Sequence, residues 1–204
     1  ILLMLTDETT VGIFQANFKL GIFMMLIVSM FEYAWRPFFL NNAKEPNARQ
    51  IFSKVMTVFV GFASVVLIVL TFFIDDLIRI PLPHRGHIIG SKYWGGVYIV
   101  PVILFSYLLY GIYINLMAGI YIEKKTKYLP YITGLGAVIN IAGNFLLIPS
   151  FGMHGAAAAT FLSYLAMTLY IYHISQKFYP VKYEIKKVIL LNIINAAALV
   201  IFYL

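Results

Sequence analysis

The sequence predicts an all-α membrane protein: a bundle of about six transmembrane helices forming one unit over residues 1–204. Three observations predict it. The chain is 62% hydrophobic and only 11% charged, whereas soluble domains are about 45–50% apolar and about 25% charged. Six runs approach the length of a bilayer crossing, about 20 helical residues at about 1.5 Å each. The basic residues, finally, alternate from one connection to the next.

The runs cover roughly 10–33, 51–74, 93–122, 128–148, 152–175 and 188–204. None alternates as a barrel strand does. Helices are therefore the spanning form that satisfies the backbone in lipid. The first connection carries Arg36, Lys44, Arg49 and Lys54, the third Lys124, Lys125 and Lys127, and the fifth Lys177, Lys182, Lys186 and Lys187. The second holds only Arg79, Arg85 and Lys92, and the fourth, 149–151, holds none. The positive-inside rule places the odd connections in the cytoplasm. The net charge of +7 thus belongs to membrane loops, and no nucleic-acid partner is expected. With no cysteine there is no disulfide and no thiolate metal site,. The chain opens on Ile1 and closes inside an apolar run, as expected for a piece of a longer membrane protein.

The fourth connection, Pro149-Ser150-Phe151-Gly152, reads as a tight outer hairpin. Pro149 does not continue a helix, and Gly152 tolerates turn angles. Small residues follow, from Gly155 through Ala159 to Ser163. In lipid, small residues let helices approach closely, because no hydrophobic drive pushes them together.

This hairpin carries a family resemblance. The run from Asn140 through Asn144, Pro149, Gly152 and Gly155 to Thr160 resembles N…N-x-x-L-I-P-x-x-G-x-x-G-A-A-x-A-T. Bacterial polysaccharide flippases of the multidrug/oligosaccharidyl-lipid/polysaccharide exporter superfamily show that pattern. Val11 to Leu20 is similar to their V-G-x-Y-S-A-A-Y-K-L, with Phe14 and Phe18 in place of tyrosines. Ala34-Trp35-Arg36-Pro37-Phe38-Phe39 is similar to the A-W-x-P-F-F that ends the same helix. The intervening segments match mainly in hydropathy. The resemblance implies most of the second lobe of a two-lobed, multi-pass protein of the bacterial inner membrane. It implies that lipid-linked (undecaprenyl-pyrophosphate) oligosaccharides for O-antigen or capsule are translocated by alternating access. Membrane lipids and a glycan polymerase are the implied partners, and no cofactor is implied. Two relatives stay open, a lipid II flippase and a drug or cation antiporter.

Lys19 is the sharpest candidate residue. It lies about nine residues, or roughly 13 Å, into the first predicted helix. A lysine at that depth costs about 2.5–3.5 kcal/mol on insertion scales, so it should face a cavity or a partner. Gln15 is one turn earlier on the same face and completes a polar stripe suited to pyrophosphate or sugar. Snorkelling to the outer headgroups, or a structural bond, is the plainer use of Lys19. Glu32 and Arg36 have the spacing of an interfacial ion pair, against which stands a gate. Asn140 and Asn144 share a face and serve either as glue across helices or as cavity lining. Thr57, Gly61, Ser64 and Thr71 form a small-residue packing stripe on the second helix.

Tyr107, Tyr110, Tyr113 and Asn115 line the third helix, with Pro101 expected to kink its outer part; they stack on sugars or simply pack. His173 is a lone interfacial histidine. The second connection combines Asp75, Asp76, His84 and His87, but their spacing matches no metal template. This solvated loop is the one place where a membrane polymerase or acyltransferase would keep its chemistry. The resemblance implies a transporter and not an enzyme; the chain shows no Walker-type nucleotide loop, so active transport would draw on an ion gradient, the membrane potential or removal of product.

Overall fold

The computed structural model describes the backbone of residues 1–82 and 86–204 and all their side chains except that of Leu82. Pro83, His84 and Arg85, with the expectations placed on them, lie outside it. The architecture is all-helical. A short α1 (Leu2–Leu5) precedes α2 (Glu8–Phe18), and α2 continues through a 3-10 turn (Lys19–Gly21) into α3 (Ile22–Asn42). Then come α4 (Ala48–Ile78), a two-stranded ladder β1 (Pro81–Leu82) and β2 (Gly86–His87), and a 3-10 segment (Ser91–Ile99) leading into α5 (Val100–Ile122). A 3-10 turn (Thr126–Tyr128) starts α6 (Leu129–Phe178), and α7 (Ile185–Tyr203) closes the chain. Five continuous helical stretches among the described residues are long and apolar enough to cross a membrane, compatible with a multi-pass membrane protein.

The fourth stretch, Thr126–Phe178, has 53 residues. Straight, it would reach about 80 Å. It is instead a hairpin. Gly152 has φ 53° and ψ −130°, angles for which a side chain is strained,. Beyond it the second arm returns along the first. A Cβ at Gly155 would lie 2.5 Å from the Leu147 carbonyl carbon, and one at Gly143 would lie 3.0 Å from the Ala159 Cβ. Ser163 Oγ donates to the Gly136 carbonyl at 2.8 Å. The pairs 147/155, 143/159 and 136/163 are the register of antiparallel arms. The predicted hairpin is present, with a correction: helix runs through Pro149 as far as Phe151, and Gly152 alone makes the turn.

Several boundaries differ from expectation, the second span among them, which runs from Ala48 to Ile78. The first span runs on through Pro37 to Asn42, so the Trp-Arg-Pro-Phe-Phe segment lies inside the helix. Lipid and neighbouring helices tolerate Pro in a way that water does not. Pro101 sits in the first turn of α5, where its missing N–H costs nothing, and the outer part of that span is 3-10 helix,. The last span begins at Ile185.

Of the apolar window of α5, 78% is buried, against 11% for α7. Helix α5 is the central column, and the other helices surround it. Their outward faces stay apolar: Val58, Phe62, Val65 and Val69 on α4, and Ile189, Ile193, Val200 and Ile201 on α7. Burial therefore separates inward-facing from outward-facing residues where hydropathy does not. Hydrogen bonds pin the contacts. Asn195 Nδ2 donates to Ser64 Oγ at 2.8 Å, Thr168 Oγ1 to the Leu109 carbonyl at 2.9 Å, and Trp35 Nε1 to the Asn115 carbonyl at 3.3 Å. Trp35 also packs among Phe31, Phe38, Phe39 and Phe52.

The two ends differ in charge. Arg36 lies over Tyr121, Arg49 over Tyr179 and Lys125 over Phe178, and Ser53 Oγ donates to the Lys182 carbonyl. These contacts draw the first, third and fifth connections together at one end. At the other, Arg79 lies over Trp94.

Candidate functional site

Depth is set by α4. Val55 to Ile74, between Lys54 and Asp75, is an uncharged stretch of 20 residues. That is about 30 Å of helix, the thickness of a hydrocarbon slab. A Cβ at Gly111 would meet Phe59 at 2.6 Å and Val28 at 3.1 Å, so these three residues share a level. Phe59 lies about 8 Å on the basic side of the middle of the slab. Nine residues separate Val28 from Lys19, so Lys19 sits about 6 Å beyond the middle, about 9 Å short of the far edge.

At that depth Lys19 is exposed, as is Gln15 one turn away. Among the described residues Lys19 makes no ion pair. It opens the 3-10 turn that joins α2 to α3, and a 3-10 stretch inside a helix often marks a hinge,. The residue between the pair points the other way: Asn17 is fully buried, and its Nδ2 donates to the Tyr93 carbonyl at 2.7 Å. Asn17 thus fixes α2 against the 3-10 segment and leaves the Gln15–Lys19 face outward. Asn17 was not among the sequence-level candidates. Its spacing from Gln15 and Lys19, which puts it on the opposite face, was the available signal.

Tyr110 is half-buried. Its ring stacks on Tyr113 at 5.8 Å and lies 5.2 Å from Tyr164, which lies 6.2 Å from Tyr107. Tyr107 lies 6.4 Å from Phe18, next to Lys19 in sequence. The tyrosines of α5 thus form a band with α6, close to the inner flank of the α2–α3 joint. Tyr164 was absent from the sequence-level candidates because its partners are distant in sequence.

Asn140 and Asn144 do share a face, but they do not bridge helices. Asn144 Nδ2 donates to the Asn140 carbonyl at 2.7 Å and to Asn140 Oδ1 at 3.0 Å. No hydrogen bond among the described residues joins this pair to Gln15, Lys19 or Tyr110. The interhelical amides are instead Asn17 and Asn195.

Arg36 and Glu32 pair at 3.0 Å where α3 leaves the slab. Ser64 and Thr71 are buried on the face of α4 that carries the Asn195 contact, and His173 is exposed. In the second connection Asp75 pairs with Arg79 at 2.9 Å, and the His87 ring stands edge-on to Trp94. No cluster of metal-ligating residues occurs among the described residues. Two apolar grooves, about 400 Å³ between α5, α6 and α7 and about 610 Å³ between α3 and α4, include none of the predicted site residues.

The arrangement presents one cation and one amide, held outward at hydrocarbon depth at a joint in the helix, with an aromatic band below. In comparisons with protein-family models, with curated proteins and with solved structures, nothing matches the chain.

Proposed function

We propose that this chain is most of one lobe of a flippase carrying lipid-linked (undecaprenyl-pyrophosphate) oligosaccharides across the bacterial inner membrane for polysaccharide assembly. The observation supporting it is Lys19, exposed beside Gln15 within the slab. A lipid-facing lysine there carries the insertion cost of about 2.5–3.5 kcal/mol unless it snorkels. A face on a hydrated cleft between two lobes removes that cost and supplies a counter-charge for pyrophosphate. The head crosses through the cleft while its polyprenyl tail stays in lipid. Gln15 and Tyr110 serve hydroxyls, and the α2–α3 joint is the place where the lobe bends as access alternates. Asn140 and Asn144 line the cleft more remotely. No covalent step and no cofactor are needed. The sequence resemblance in the two motifs points the same way. A cation antiporter is less well supported, because Glu32 is paired at the slab edge and not in mid-membrane.

The test is outward delivery of lipid-linked sugar in cells that depend on this protein, comparing Lys19→Ala and Lys19→Arg at matched abundance. Lys19→Ala is expected to lower delivery at least tenfold, and Lys19→Arg to retain most of it. Undiminished delivery by Lys19→Ala overturns the proposal.

A further inference from the structure

The basic end contains a built corner that the transport reading does not use. Helix α5 ends in a paired turn: Lys125 N–H donates to the Ile120 carbonyl at 2.8 Å, and Lys124 N–H to the Tyr121 carbonyl at 3.1 Å. Such a turn needs a left-handed residue and usually takes glycine. Here it takes Lys124, at φ 52°. The turn brings Lys125 over the Phe178 ring, at 5.3 Å, at the far end of α6. Lys177 meets the same ring at 5.9 Å. Phe178 packs on Tyr128 at 5.3 Å, and Lys127 lies 5.6 Å from the Tyr128 ring. Three ammonium groups therefore each lie within 6 Å of one ring of an aromatic pair. None is in an ion pair among the described residues, and Glu123 is the only acid in this connection.

An apolar column continues from this corner. Tyr131, Leu135 and Val138 follow Lys127 at helical spacing, and they are 71%, 38% and 64% exposed. A soluble anion would use the lysines alone. A molecule with a phosphate head and hydrocarbon tails fits both parts.

We propose that this corner binds the phosphate headgroup of an anionic phospholipid, with its acyl chains laid along Tyr131, Leu135 and Val138. The shared chemistry is phosphate on three lysines backed by two rings. The column selects the lipid over free phosphate. The site depends on the membrane reading but not on flippase activity, so failure of either proposal leaves the other standing.

The experiment titrates the purified chain in uncharged detergent with phosphatidylglycerol, phosphatidylcholine and inorganic phosphate, counting bound molecules by native mass spectrometry. Saturable, preferential phosphatidylglycerol binding is expected. The variant Lys125→Gln, Lys127→Gln, Lys177→Gln should bind about 100-fold more weakly. The variant Lys44→Gln, Lys182→Gln, Lys186→Gln loses equal charge from the same end and should bind as the unaltered chain does. Should the first triple variant aggregate, Lys177→Gln alone is expected to weaken binding by about fivefold. Equal losses in the two triple variants, no preference over phosphatidylcholine, or displacement by millimolar inorganic phosphate each overturn the site.

Discussion

Replacing Gly155 by alanine tests the hairpin directly. The new Cβ would lie 2.5 Å from the Leu147 carbonyl carbon and 2.8 Å from the Ile148 nitrogen, with the Leu147 oxygen closer still. All three are backbone atoms, so no rotamer change makes room. Carbon contacts rest at about 3.5–4.0 Å, so the arms must part by about 1 Å. Overpacking of this kind costs about 1–3 kcal/mol. Parting the arms also strains the Ser163–Gly136 bond, worth about 1 kcal/mol. The expected loss is about 2–4 kcal/mol. Gly134, on the first arm, is the control, because a Cβ there meets nothing within 4 Å. Gly134→Ala should be neutral or stabilise by up to about 1 kcal/mol through helix propensity. Equilibrium unfolding in mixed micelles, followed by circular dichroism, measures both. If the two variants fall within about 0.5 kcal/mol of each other, the assigned register is wrong.

The chain lacks cysteine, so Gly143→Cys with Ala159→Cys is a clean pair; in a hairpin it oxidises to an intramolecular disulfide seen as a gel shift. A straight rod would hold the two about 24 Å apart and give none. Ser64→Ala and Asn195→Ala should show a coupling of about 0.6 kcal/mol, at most about 1.7, in a double-mutant cycle of unfolding, and zero coupling would dissolve the α4–α7 bond. Lys124→Gly relieves a left-handed residue and should stabilise by about 1 kcal/mol in the same assay, while a destabilised variant would refute a left-handed turn at this position,. Asp7 caps α2. The Thr10 hydroxyl and the Thr10 N–H both donate to its carboxylate, which holds it below its ordinary value of 3.8. The cap's contribution is therefore complete above that value and disappears as pH falls through the lower folded one. Amide exchange at residues 8–11, corrected for intrinsic rate, should accelerate on acidification, and Asp7→Asn should abolish the dependence.

An all-helical chain with membrane-length apolar helices was legible from composition and run length, which depend only on which solvent tolerates so many apolar side chains. The placement of the charges was legible too: loops hold lysine because lipid rejects it, so the odd connections stand out in the sequence,. Pro149 to Gly155 announced the hairpin, since a break that short between two long apolar runs leaves little alternative. The Glu32–Arg36 pair was legible from spacing because both partners sit on one helix.

Tertiary structure decided whatever depends on which side of each helix meets protein. In lipid, buried and exposed faces are both apolar, so hydropathy could not reveal α5 as the central column. Nor could it show that Asn17 and Asn195, rather than Asn140 and Asn144, bond between helices. The Tyr110–Tyr164 contact and the gathering of Lys125 and Lys177 on one ring join residues more than 50 apart in sequence. Such pairs exist only after the arms of α6 have folded back, because one glycine at Gly152 reverses a helix that would otherwise carry them tens of ångströms apart,.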